Sequence, residues 1–278
     1  MKNCKKHFIV ALIALFLGQF LAPKMARAQV VEVGASAGLS YYMGDINPNK
    51  PFNQSQFGFG LLLRYYSSTR WAFRVAYSNL QLNGSDEKSN YRPERGLSFK
   101  DNIHDLAFMA EFNFFDYFTG SKRNAVSPYI FGGLSILFFN PKADDGTELC
   151  NVLTDVDYDG TIPANGEDKY SKIAMSIPFG LGVKYSLGQK LGIALEWRWD
   201  YAFTDWLDDC HAYYPEVNNS YSDPTNFTNN SGEHYIQRGN KSNNDWYGYL
   251  NFSVVYKFVL PGSDDCHKGP NKNSYKNY

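Results

Sequence analysis

From Val31 to Tyr41 every second residue is apolar or aromatic, and Glu32, Gly34, Ser36, Gly38 and Ser40 lie between. A period of two with one apolar face predicts a β-strand. The rhythm returns over Phe57–Tyr65, Trp71–Tyr77, Leu106–Phe114, Pro128–Phe139, Ile173–Tyr185, Leu191–Trp199 and Trp246–Phe258. Most runs reach the length a tilted strand needs to cross a bilayer, about 9–11 residues. The links between runs alternate in length. Ser67–Arg70 and Ser186–Lys190 are short, and Phe115–Ser127 joins the fourth and fifth runs; Met43–Gln56, Asn83–Asn102, Asn140–Lys172 and Ala202–Asp245 are the long links. Strict alternation of this kind predicts an all-β fold: an eight-stranded antiparallel transmembrane β-barrel with long extracellular loops and short periplasmic turns. An even strand count then puts both mature termini in the periplasm of a bacterial outer membrane.

Composition agrees. The chain holds 21 Phe, 21 Tyr and 5 Trp, or 17% aromatic residues. The aromatics crowd the ends of the runs, as interface girdles do. Yet the chain is polar on average, which excludes a bundle of membrane-spanning helices. With 27 basic and 28 acidic residues the formal net charge is −1. That balance gives no reason to expect a nucleic-acid partner, which calls for a basic patch.

The first segment reads as an address. Lys2, Lys5 and Lys6 precede an apolar run from Phe8 to Ala22, and Ala26-Arg27-Ala28 follows. This is the pattern of a secretory signal peptide over residues 1–28, cleaved after Ala28. The apolar run is short for an uncleaved anchor. Residues 29–258 are then the barrel, and 259–278 a polar periplasmic C-terminal tail.

The positions opposite the apolar face should point into the barrel. They include Arg64, Arg74, Asp105, Glu111, Lys184, Glu196, Arg198 and Asp200, with both signs present. An eight-stranded barrel is just wide enough to be filled by side chains. Buried charges must be paired or hydrated, so this set predicts a salt-bridge plug rather than a channel or a catalytic cluster.

Three further features carry candidate chemistry. Asp155, Asp157 and Asp159, followed by Gly160, begin like a calcium loop. The closing acid should fall at Gly166, and Glu167 comes one residue late. That spacing favours a solvated acidic loop, with a calcium-pinned loop as the alternative; no other cofactor is expected. His104-Asp105 and Asp208-Asp209-Cys210-His211 lie near the outer rim, but no Ser, His and acid set can be assembled from the sequence, so an enzyme is not expected. Among the cysteines, Cys150 and Cys210 fall in outer loops of an oxidising compartment, which makes them the candidate pair for a disulfide. Cys266 lies in the tail on the opposite side, which leaves it for a bond to a periplasmic partner or as a free thiol.

Several blocks resemble the PorG-like outer-membrane barrels of the type IX secretion system. They are Ser40-Tyr41-Tyr42-Met43-Gly44-Asp45-Ile46-Asn47-Pro48, Glu111-Phe112-Asn113-Phe114-Phe115, the run from Ser127 to Gly133, Phe139-Asn140-Pro141, the run from Ile177 to Tyr185, Glu196-Trp197, and Thr204-Asp205-Trp206-Leu207-Asp208-Asp209. The resemblance covers most of the mature chain; its first and last blocks are the more specific. It implies a non-enzymatic part of a protein-secretion machine that holds a periplasmic ring of PorK- and PorN-like proteins at the outer membrane. In some relatives the same machine serves gliding motility. The resemblance supplies no catalytic residue. A small barrel for adhesion or envelope integrity, working through its extracellular loops, is the rival reading.

Overall fold

A computed structural model describes residues 30–121, 124–151, 155, 170–214, 216–217, 220–221 and 237–259. The signal segment, Asp157, Asp159, Cys266 and the tail from residue 260 lie outside the described residues.

Eight long strands close into one antiparallel barrel. They are β1 (Val30–Met43), β2 (Gln56–Tyr66), β3 (Trp71–Ser85), β4 (Ser98–Asn113), β5 (Val126–Phe138), β6 (Ile173–Ser186), β7 (Leu191–Ala202) and, after the two-residue strands β8 (Glu216–Val217) and β9 (Ser220–Tyr221), β10 (Trp246–Val259). Neighbours in sequence pair in space, and β10 returns to β1. Among the described residues no helix is long and apolar enough to cross a membrane; closure of the ladder satisfies the backbone instead.

The alternation places its apolar face outward. Leu61 is 60% exposed, and Phe57, Phe73, Phe108, Leu134, Leu181, Leu195 and Phe252 share that outer face. Only lipid makes such a surface favourable around a whole barrel. The inner face carries the charged and small residues. This is the fold of an outer-membrane β-barrel.

β3 and β4 depart from expectation. Residues 83–102 read as a long loop, but β3 runs on to Ser85 and β4 starts at Ser98, in continuous register from Trp71↔Phe112 to Ser85↔Ser98. The reason is an inversion of the pattern. Beyond Tyr77 the inward residues become apolar (Leu80, Leu82, Phe99, Ile103), and the outward ones polar (Gln81, Asn83, Lys100, Asn102). The strands have left the lipid zone and pack a water-soluble hairpin. A short helix, α1 (Asp86–Ser89), closes it.

Both mouths are covered. At the short-turn end, residues 114–121 after β4 fold under the barrel. Tyr117 and Thr119 are buried there, Thr119 Oγ1 donates to Glu32, and the Gly120 amide donates to Ser186 Oγ at 2.8 Å. At the long-loop end, Tyr42, Ile46, Leu80, Leu82, Phe99, Ile103, Leu137, Phe139 and Tyr249 form an apolar layer.

Candidate functional site

Two buried polar systems are stacked along the barrel axis, one inside the strands and one in the loops above the apolar layer.

Within the barrel the structure places all eight expected charges on the inner face, each no more than 4% exposed. It brings five of them into one cluster and adds Glu32. Arg64 reaches Glu32 at 2.9 Å, Glu111 at 2.8 Å and Glu196 at 3.6 Å. Arg74 reaches Glu111 at 2.9 Å and also pairs with Glu196. Lys184 pairs with Glu111, bonds Asn113 Oδ1 at 3.0 Å, and lies 4.1 Å from the Tyr129 ring centroid. Three cations thus face three carboxylates. The remaining three expected residues form a second group, with Arg198 at 2.8 Å from Asp105 and 2.6 Å from Asp200. Tyr247 donates to Asp105 at 3.0 Å. Desolvated charges persist only when matched this closely. Glu32 was legible as an inward position of the first run, but nothing in the sequence marked it as the counter-charge of Arg64.

The second system lies in the long-loop segments, and sequence reasoning missed it. Arg95 and Arg238 are its two buried guanidinium groups. Arg95 donates to both oxygens of Asp86, at 2.6 and 2.7 Å, to the Asp45 carbonyl at 3.0 Å and to the Arg238 carbonyl at 2.6 Å. Burial works against its charge, yet the Asp86 contact raises its pKa above the ordinary value. Arg238 pairs with Asp155 at 3.1 Å and Asp209 at 3.4 Å. Four segments are thereby tied together.

Carboxyl groups outnumber these cations. The Tyr42 hydroxyl lies 2.6 Å from Asp208 Oδ2 and 2.8 Å from Asp245 Oδ1. His211 Nδ1 lies 3.0 Å from Asp205 Oδ2, and the His211 ring stacks on Trp206 at 4.2 Å. Burial, followed by the charge of neighbouring carboxylates, pushes Asp208 up to about 7 and Asp205 up to about 11, and holds Asp245 well above the carboxylate range. The two most specific sequence blocks, Tyr41-Tyr42-Met43-Gly44-Asp45 and Thr204–Asp209, meet here.

Two expectations are corrected. Cys150 and Cys210 are free, buried thiols and form no disulfide. Cys150 Sγ points to the Tyr170 carbonyl at 3.5 Å inside the apolar layer, whereas Cys210 Sγ bonds the Arg238 carbonyl at 3.3 Å among the charged groups. Each sulfur is held in a different environment. Asp157 and Asp159 lie outside the described residues, but Asp155 is fully buried rather than solvated as the acidic-loop reading expected. Its two oxygens accept from the amides of His211, Ala212 and Tyr213, at 2.8, 2.8 and 2.9 Å, and from Arg238. It is an anchor for the 211–213 segment. Among the described residues no group of His, Cys, Asp and Glu is arranged to hold a metal ion. His104 and Asp105 are also separated: His104 faces outward against Tyr77, and Asp105 faces the lumen.

The family profile described as "Domain of unknown function (DUF6089)" matches residues 6–268. The chain belongs to this family. No curated protein matches it. Solved structures similar to this DUF6089 protein include the N-terminal β-barrel domain of Pseudomonas aeruginosa OprF, at 11% identity and TM-score 0.38, covering 82% of this chain and 97% of that one. Neisserial surface protein A is similar at 15% identity and TM-score 0.39, covering 83% and 97%. A major outer membrane protein from Thermus thermophilus is similar at 14% identity and TM-score 0.40, covering 84% and 100%. At this level of likeness nothing about their roles transfers to this chain.

Proposed function

We propose that the protein is a non-enzymatic, non-conducting anchor in the bacterial outer membrane that holds a periplasmic ring of a type IX-like secretion machine. The observation that carries this reading is the sealed lumen. Matched buried charges fill the barrel, Tyr117 and Thr119 after β4 cover one mouth, and an apolar layer and stitched loops cover the other. A barrel with nothing to conduct works through its end surfaces. The PorG-like blocks supply the identity of the machine: PorK- and PorN-like proteins as partners, with the short turns and the 259–278 tail as the docking side. Outer-membrane lipid is the other partner.

Crosslinking in intact envelopes, followed by purification of the barrel, tests this directly. Recovery of ring proteins, lost on deletion of residues 262–278, supports docking; recovery of none overturns it. Within the same reading Cys266 bonds a periplasmic partner. Non-reducing gels should then show a larger species that Cys266→Ser removes. A large conductance of the purified protein in planar bilayers would remove the premise.

The stitched long-loop cap supports a second reading, a surface-binding barrel. Arg95 and Arg238 tie four segments into a fixed platform, which an adhesin needs and an anchor does not. Trimming the fourth long loop with export intact and surface binding lost would favour it.

A further inference from the structure

The hairpin of β3 and β4 carries a polar strip on its outer wall, directly above the apolar belt. Cross-strand pairs Gln81↔Asn102 and Asn83↔Lys100 place two carboxamides and then a third beside an ammonium group. His104 sits one pair lower, stacked on Tyr77. The segment after β5 folds over this strip, with Lys142 bridging back to Lys100. Between them lies a groove of about 660 Å³, within the usual range for ligand sites, roughly 300–1,000 Å³.

The cations at the groove are matched: Lys100 pairs with Asp144 at 2.9 Å and Lys142 with Glu148 at 3.6 Å, so neither is left over for a phosphate. The carboxamides of Gln81, Asn83 and Asn102 line the same groove; each both donates and accepts, which suits a ligand rich in hydroxyls. Exposed Phe138, which also lines the groove, offers a flat apolar face to its C–H groups.

Position selects the source of that ligand. His104 pairs with Phe138 across β4–β5, and the next outward pairs toward the barrel's middle are Leu106↔Ile136 and Phe108↔Leu134. The polar groove therefore passes without a break into lipid-facing wall. We propose that this groove holds the saccharide headgroup of a membrane glycolipid, whose acyl chains lie along Ile136, Phe108 and Leu134.

The test uses the full-length protein in phosphatidylcholine vesicles doped with monoglucosyl diacylglycerol, monogalactosyl diacylglycerol or a glucosamine-disaccharide lipid, followed by native mass spectrometry. One retained glycolipid per barrel is expected from at least one of the three. Asn102→Leu should lower retention about tenfold, the scale of two lost hydrogen bonds. Folding is checked by heat-modified gel mobility; if Asn102→Leu fails it, Gln81→Ala at the paired exposed site takes its place. Retention of none of the three, or equal retention of phosphatidylglycerol, overturns the proposal. So does binding of free methyl glycosides as tight as that of the lipids, or retention unchanged by a folded variant.

Discussion

Tyr42 and Asp208 come from the two most specific blocks of the sequence, and the Tyr42 hydroxyl lies 2.6 Å from Asp208 Oδ2. The same hydroxyl lies 2.8 Å from Asp245 Oδ1. It has one hydrogen, so one of the two contacts must take a carboxyl proton as its donor. Tyr42→Phe leaves the two carboxyls facing each other with no shared group. A loss of about 1–3 kcal/mol is expected, the cost of unsatisfied buried groups. It should fall on the loop cap and not on the strands. Limited proteolysis should cut the long-loop segments faster while the heat-modified gel shift of the barrel stays. An unchanged cleavage rate would remove the tyrosine from its bridging role.

Shared protons give the cap a pH dependence of unusual sign. Asp208, Asp205 and Asp245 all titrate higher in the folded protein than the ordinary 3.8, Asp208 at about 7. Asp45, partly buried beside them, is raised as well. The folded cap therefore binds more protons than the unfolded one, and stability falls as pH rises. This contribution is fully present below about pH 4 and is lost for Asp208 as pH passes through about 7. Arg95 faces Asp208 and, together with Arg92, Asp45, while His211 contacts Asp205; they soften the repulsion without matching it. Protease resistance of the cap should drop between pH 5 and pH 8, by an amount on the order of a few kcal/mol. Asp208→Asn should flatten that drop; a cap more resistant at pH 8 would contradict the linkage.

At the seam where the first and last long strands meet, Tyr41 reaches across β10 to β7. Its hydroxyl accepts a hydrogen bond from Trp197 Nε1 at 2.8 Å, and Phe52 packs on both rings, at 4.5 and 5.6 Å. The path is open because position 248 is glycine: a Cβ there would run into the Tyr41 ring. Gly248→Val should push the ring off the wall, losing the hydrogen bond and the aromatic contacts together, at about 1–3 kcal/mol. Tyr41→Phe, which keeps the ring, should cost about 1 kcal/mol. Guanidinium unfolding in micelles, followed by tryptophan fluorescence, ranks the two. If the phenylalanine variant is the worse, packing over Gly248 is not what holds the seam.

The strands were legible because lipid imposes one rule along the whole wall, apolar outward at every second position. That rule places Leu61 outside and Arg64 inside without further knowledge. It fails where the wall leaves the lipid. Around Leu80 and Leu82 the same period continues with its faces exchanged, so a search for one apolar face ends at Tyr77. The interior charges were legible as a set, but their partners were not. Arg64 and Glu111 meet across the lumen through closure, which no local spacing encodes. The loop cap was the least visible part. Arg95, Asp155 and Arg238 are separated by long stretches of sequence, and Asp155 had a more local explanation as part of a solvated acidic loop. Buried thiols misled for the same reason: shared compartment and shared side of the membrane say nothing about whether two sulfurs point at each other.

Glu111 is the centre of the lumen network, facing Arg64, Arg74 and Lys184 at once. Glu111→Ala leaves three cations to Glu32 and Glu196 alone. Breaking a dry pair of this kind costs about 3–5 kcal/mol, mostly from the charge left without a partner. If that mechanism is right, removing one cation as well should restore stability. Lys184→Met alone also breaks the pair, but Glu111→Ala with Lys184→Met removes charge of both signs. The double variant should therefore be less destabilised than the sum of the singles by about 1–3 kcal/mol. Urea titrations of the refolded barrel in micelles measure all four corners of the cycle. Additive losses, or a Glu111→Ala cost below about 1 kcal/mol, would mean that water reaches these groups and that the lumen is hydrated rather than sealed. The cycle thus tests the premise of the proposed function without reference to any partner.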